Sequence, residues 1–168
     1  MFKKISPEAI DGIIKRIGKD WMLICARDDE NERINAMTAS WGAMGVLWNK
    51  PICICFVRPE RHTHSLLEKD ETFSIAFLSE EYREALRFCG KESGREVDKL
   101  GACGLETESV DGAFVISDAE LALVCKKLYV DELREASFLD KSLLKNYESG
   151  GYHTVYVCEI IGAYTKGE

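Results

Sequence analysis

Several short apolar runs, each bounded by glycine, proline or a polar cluster, constrain this chain more than any other feature. They are Trp21–Ala26 (WMLICA), Pro51–Val57 (PICICFV), Phe73–Leu78 (FSIAFL), Leu121–Val130 and Tyr152–Ile161. Runs of this length and composition read as buried strands. Asn35–Trp41 adds a further strand, reached from Trp21–Ala26 through the polar stretch Arg27–Arg33, a loop or hairpin tip. Tyr152–Ile161 is entered through Gly150-Gly151, and Asp111-Gly112 is a turn signal. Gly42 and Gly45 interrupt the segment after Trp41 and suggest a loop.

Helical patterns are short and few. Ser6-Pro7-Glu8 combines an N-cap serine, a proline at the first helical position and an acid at the positive end of the dipole. Ile10, Ile13, Ile14 and Ile17 follow at helical spacing, with Gly18 as the stop. Thr63–Lys69 reads as a second helix, with Ser65 and Glu68 spaced as a capping box. Ser79-Glu80-Glu81 caps a third, running to about Cys89. Gly90–Gly104 is polar and irregular, the stretch most like an active-site loop. Strands and helices do not alternate as βαβ units. The fold class is therefore mainly β, a β-barrel with short peripheral helices rather than a doubly wound sheet.

Composition bounds what such a barrel does. With 168 residues, no internal repeat and no linker, residues 1–168 form a single domain. A net charge of −7 argues against a nucleic-acid partner. No apolar window reaches the roughly 18–20 residues of a membrane span, and Met1–Pro7 lacks a signal-type run behind it. The 7 cysteines are odd in number, contain no C-x-x-C pair and sit mostly inside apolar runs, as small hydrophobes do. A cytoplasmic location is expected. Familiar catalytic signatures are missing: there is no G-x-S-x-G elbow, no phosphate-binding G-x-x-x-x-G-K-[ST] loop, no G-x-G-x-x-G and no H-E-x-x-H. His62 and His64 lack spaced partner ligands, so no metal site is expected.

Three segments carry chemistry. Asn35-Ala-Met-Thr-Ala-Ser-Trp-Gly42 places Met37, Thr38, Ala39, Ser40 and Trp41 in a row of mostly small residues ending in an indole. Arg58-Pro59-Glu60-Arg61-His62-Thr63 offers two guanidinium groups beside a hydroxyl at a helix start, suited to a phosphate. Gly90–Lys99 contributes Ser93, Gly94 and Lys99. Each has a bland alternative: an ordinary strand with a core tryptophan, surface ion pairs of the arginines with Glu60 or Glu68, and a solvated loop.

In this order, the three segments resemble the flavin reductase-like family, particularly its flavoredoxin branch. That family shows an N-x-M-T-x-S-W-G strand, a V-R-P-x-R-x-T connection and an S-G-x-x-x-D-K loop. The resemblance is collinear from about Trp21 to Gly104 and continues more weakly to Ile161. It implies a six-stranded Greek-key split barrel, a homodimer, and FMN near the interface as cofactor. FMN-binding residues are then Met37, Thr38, Ala39, Ser40, Trp41, Arg58, Arg61, His62, Thr63, Ser93 and Lys99. Tyr152 and His153 could face the flavin or a substrate, while Ile54, Phe56 and Phe77 are read as barrel core. The implied activity is reduction of bound flavin by NADH or NADPH, with electrons passed to a small molecule or a redox protein. The alternatives are an electron carrier without direct nicotinamide turnover, and a non-catalytic flavin-binding module.

Overall fold

A computed structural model describes residues 1–167. Its main sheet has eight strands, antiparallel at every pairing. In chain order they are β1 (Phe2–Ile5), β2 (Met22–Asp28), β3 (Arg33–Ala39), β4 (Gly42–Leu47), β5 (Lys50–Val57) and β6 (Thr72–Phe77), then β9 (Leu121–Glu132) and β10 (Thr154–Lys166). Between β6 and β9 lies a separate hairpin, β7 (Thr107–Val110) and β8 (Ala113–Ile116). The spatial order is β3-β2-β6-β9-β10-β5-β4, with β1 added to β10.

The two outermost strands, β3 and β4, are consecutive in the chain, with only Ser40 and Trp41 between them. A sheet whose edges are tied so closely must curl until those edges approach. The result is a barrel that is closed by covalent connection at Ser40-Trp41 and split elsewhere. This is the mainly β architecture expected from the sequence, with eight strands rather than six.

Alternation explains why the strands read as continuous apolar runs. In β2, Met22, Ile24 and Ala26 face the barrel interior with Met37, Val57, Ile75, Leu123 and Tyr156. Leu23 and Cys25 face outward into a second core with Ala36, Leu86, Leu100, Val115 and Ile116. That outer core is roofed by α3 (Arg83–Lys91), α4 (Lys99–Ala102) and the β7–β8 hairpin. Both faces of β2 are buried, so no polar alternation shows.

Several local expectations need correction. Gly12, at φ +63°, divides the N-terminal segment into a 3-10 turn (Pro7–Ala9) and an α-turn, α1 (Ile13–Lys15), which continues as a π-helical turn over Arg16–Asp20, so the helix does not stop at Gly18. Ser6 does cap the first, and Ile10, Ile13 and Ile17 pack on the barrel core, whereas Ile14 is 91% exposed and stands off the stripe. Gly42 and Gly45 lie in strand β4, not in a loop; a Cβ on Gly42 would meet the Ile54 carbonyl at 2.8 Å, so glycine admits the close approach to β5. Helix α2 spans His62–Leu67 with Arg61 as N-cap, and the Ser65 hydroxyl donates to the His62 carbonyl instead of forming a capping box. Ser79 precedes a 3-10 turn, Glu80–Tyr82, which leads into α3. Within residues 90–104, α3 ends at Lys91 and α4 spans Lys99–Ala102, while residues 92–98 between them are the irregular loop expected. Asp111 and Gly112 make the β7–β8 turn with φ of 48° and 80°, as the Asp-Gly pair predicts.

One latch joins the split edge to the helices. Buried Asn35 of β3 donates through Nδ2 to the Thr63 hydroxyl of α2 at 2.8 Å. Gly94 packs directly on it: a Cβ there would lie 1.9 Å from Asn35 Oδ1. Gly94→Ala should therefore destabilise the protein by about 1–3 kcal/mol, as overpacking does. Urea denaturation measures this, and an unchanged midpoint would show that the contact is not constrained.

Candidate functional site

At the point where β3 crosses to β4, the barrel opens into a cleft of about 200 Å³. Met37, Thr38, Ala39, Ser40 and Trp41 form one wall, and Phe56, Arg58, Arg61 and His153 the other. The chain here leaves one sheet edge before joining the other, so neither neighbour covers it. The Thr38 hydroxyl donates to the Leu86 carbonyl, which ties this wall to α3. Trp41 is 48% exposed, with its ring 5.2 Å from that of His153. The indole is thus half in water beside the cleft and not part of the core.

The electrostatics are one-sided. Arg61 donates to the Cys89 carbonyl at 3.2 Å, and buried Lys99 donates to the same oxygen at 3.1 Å. Neither cation forms an ion pair among the described residues, so the surface-pair alternative for Arg61 does not hold. Burial holds the Arg61 guanidinium below its usual value. Lys99 is pushed down to about 8, by burial first and then by the positive charge of Arg61. Two cations meeting on one carbonyl, without a carboxylate, form a site that an anion completes.

Arg58 has a different set of partners. Its guanidinium donates to the carbonyls of Asn146 (2.7 Å), Gly150 (3.3 Å) and Gly151 (3.1 Å) and lies over the Tyr147 ring. His153 Nδ1 shares a 2.8 Å hydrogen bond with the Tyr147 hydroxyl, leaving Nε2 for the cleft. Burial, then the Arg58 charge, pushes this imidazole down to about 4, so it is neutral at ordinary pH.

Of the expected site residues, Met37, Thr38, Ala39, Ser40, Trp41, Arg58 and Arg61 line the cleft together. The others stand behind it. His62 is turned to buried Asp28, 3.0 Å away. Burial raises the Asp28 carboxyl, but hydrogen bonds from His62 and Asn31 outweigh it and hold the group below its usual range. The Thr63 hydroxyl is engaged by Asn35, and Ser93 Oγ accepts from the Arg95 amide. Lys99 is 3% exposed and reaches the cleft only through its charge beside Arg61. Phe56, read as core, lines the cleft instead, whereas Phe77 is core. Tyr152 stacks on Tyr147 at 4.7 Å and does not line the cleft.

Comparison with known proteins identifies the family and the fold. The family described as flavin reductase like domain matches residues 14–168. An FMN-binding protein from Thermus thermophilus with bound 1-cyclohex-2-enone is 24% identical, with a TM-score of 0.66 over 86% of this chain and 69% of that one. Flavoredoxin from Methanosarcina acetivorans is 23% identical, at 0.67 over 88% and 68%. The NADH:FAD oxidoreductase of Streptomyces globisporus is 19% identical, at 0.65 over 88% and 74%. These likenesses show a shared fold. No curated protein sequence matches the chain significantly.

The buried cation makes a pH prediction. The folded value of Lys99 is about 8, below the ordinary 10.5. Between these pH values the unfolded chain keeps a proton that the folded chain has released, so the Lys99 contribution to stability rises with pH. Wild type should gain on Lys99→Met by on the order of 2 kcal/mol between pH 8 and 10.5. Paired denaturation curves test this; a gap that stays constant with pH would mean that Lys99 titrates normally.

Proposed function

The chain belongs to the flavin reductase-like domain family, and we propose that it binds FMN in the cleft beside Ser40-Trp41 and reduces it with NADH or NADPH. The observation that carries this reading is a cleft lined by both a half-exposed indole and Arg61, with buried Lys99 behind Arg61 and no carboxylate paired to either cation among the described residues. FMN makes the same two demands, a dianionic phosphate and a flat apolar ring. Bound there, it would supply reversible acceptance of hydride or electrons.

The residues of this chain then have defined tasks. Arg61 holds the phosphate, with Lys99 supplying positive potential behind it. The backbone of Thr38, Ala39 and Ser40, narrow in side chain, comes close enough to hydrogen-bond the ring edge. Trp41 covers apolar surface, and His153 offers a neutral imidazole on the opposite wall. No side chain need act as nucleophile or base, because hydride transfer depends on alignment and electrostatics. A carrier role without nicotinamide turnover draws its support from the likeness to flavoredoxin.

A homodimer belongs to this reading. At about 200 Å³ the cleft of one chain is below the roughly 300–1,000 Å³ of sites that enclose a ligand of drug size. A second chain would supply the missing wall. Strand β4 is an open sheet edge that exposes Val46 (78%), and the turn after it exposes Trp48 (55%), apolar surface that a partner would cover. Light scattering should return twice the 19.0 kDa chain mass; a monomer that binds FMN fully would remove the shared site.

Arg61→Ala should weaken FMN binding at least tenfold, about 1.4 kcal/mol, while changing riboflavin binding little. Flavin fluorescence quenching measures both, and equal losses for the two flavins would remove the phosphate contact. For turnover, anaerobic stopped-flow absorbance should show NADH or NADPH bleaching the flavin at about 1–1000 per second. A flavin that stays yellow with both nicotinamides, yet bleaches with dithionite, would replace the reductase with the carrier.

A further inference from the structure

The sequence pairs Arg58 with Arg61 around Pro59 as if they shared one task, but their surroundings differ. Arg61 gives one hydrogen bond to a carbonyl, whereas Arg58 gives three, to residues distant from it in the chain. Both hydrogens of its Nη1 go to Gly150 and Gly151, and Nη2 serves Asn146. Three of its five N–H donors are thus spent on backbone, and with both Nη1 hydrogens engaged the end-on Nη1–Nη2 fork is not free for an anion, which leaves only Nε–H and one Nη2–H. The Tyr147 ring, 5.2 Å away, covers the guanidinium face.

The carbonyls that Arg58 holds belong to the segment that builds the far rim of the cleft. Gly150 and Gly151 turn there with φ of 79° and 68° and deliver His153 to the start of β10. Tyr147, four residues before Gly151, bonds the His153 imidazole. We propose that Arg58 is a positioning residue: by gripping the carbonyls of residues 146, 150 and 151 it fixes the Tyr147–His153 pair at the cleft, and it does not bind the phosphate. Lysine does not replace it, because a single ammonium nitrogen lacks the planar pair Nη1 and Nη2 that serves Gly150 and Gly151 on one side and Asn146 on the other.

The consequence is readable at His153 itself. The charged or titratable groups around this imidazole are Arg58, Glu60, Tyr147 and Tyr152. If Arg58 only supplied charge, Arg58→Lys would leave the imidazole unchanged. If it holds the rim, the lysine variant frees residues 146–151, water reaches the ring, and its pKa rises although the positive charge remains.

The test titrates the histidines of the full-length protein by NMR, with His153→Gln to assign the signal. Flavin affinities are measured on the same samples, and only this second arm rests on the FMN reading. In both Arg58→Lys and Arg58→Met, His153 should move up from about 4 by more than one pH unit. The ratio of FMN to riboflavin affinity should stay within twofold of wild type, in contrast to Arg61→Ala. Gly151→Ala perturbs the same latch from the other side, since its Cβ would lie 3.0 Å from Glu60 and 3.2 Å from Arg58. It should shift His153 in the same direction, which decides the matter if the Arg58 variants fold poorly. An unmoved His153 in Arg58→Lys and Gly151→Ala, or a tenfold drop in the FMN to riboflavin ratio in the Arg58 variants, would overturn the proposal. Should the protein bind neither flavin, the FMN reading fails and the titration alone decides the role of Arg58.

Discussion

The two-residue link between β3 and β4 is the constraint on which this structure depends. These strands lie at opposite ends of the sheet order, yet only Ser40 and Trp41 separate them in the chain. The sheet therefore has to roll up, and it cannot zip closed along its whole length. What remains is a split at Ser40-Trp41, residues that no strand pairing includes, with the cleft beside it. Fold and site follow from one topological requirement.

Electrostatics then orient that site. Buried cations without counter-ions are costly, and a chain of net charge −7 has ample acids with which to neutralise them. Acids elsewhere in this protein do pair: Asp28 is held by His62 and Asn31, Glu80 by Arg83, and Glu159 by Lys50. Arg61 and Lys99 instead share a carbonyl. The unfavourable arrangement sits beside the cleft, as expected where a site spends stability on binding. Three carbonyls around Arg58 form a second device, one that shapes the rim instead of offering charge to a ligand.

Much of the barrel was legible in the sequence because its inner strands are buried on both faces, which turns them into bounded apolar runs. What escaped were the elements that carry no such signal. Strands β1 and β7 are short and largely polar, β8 has only four residues, and the two glycines of β4 read as a loop. Of the site, the row from Met37 to Trp41 was readable as a motif, and so was the pair of arginines. The division of labour between Arg58 and Arg61 was not, since it depends on carbonyls contributed from residues 146–151 and from Cys89. Likewise Phe56 and its strand neighbour Val57 look alike as apolar residues, and only the curl of the sheet decides that Phe56 faces the cleft while Val57 enters the core.

The central claim is that the phosphate of FMN completes the Arg61–Lys99 pair. A crystal structure of the FMN complex tests it directly. The account predicts phosphate oxygens within hydrogen-bond distance of the Arg61 guanidinium, the ring against Thr38–Trp41, and Arg58 still holding the carbonyls of Asn146, Gly150 and Gly151. A phosphate seated on Arg58, or a flavin bound away from the Ser40-Trp41 link, would contradict it.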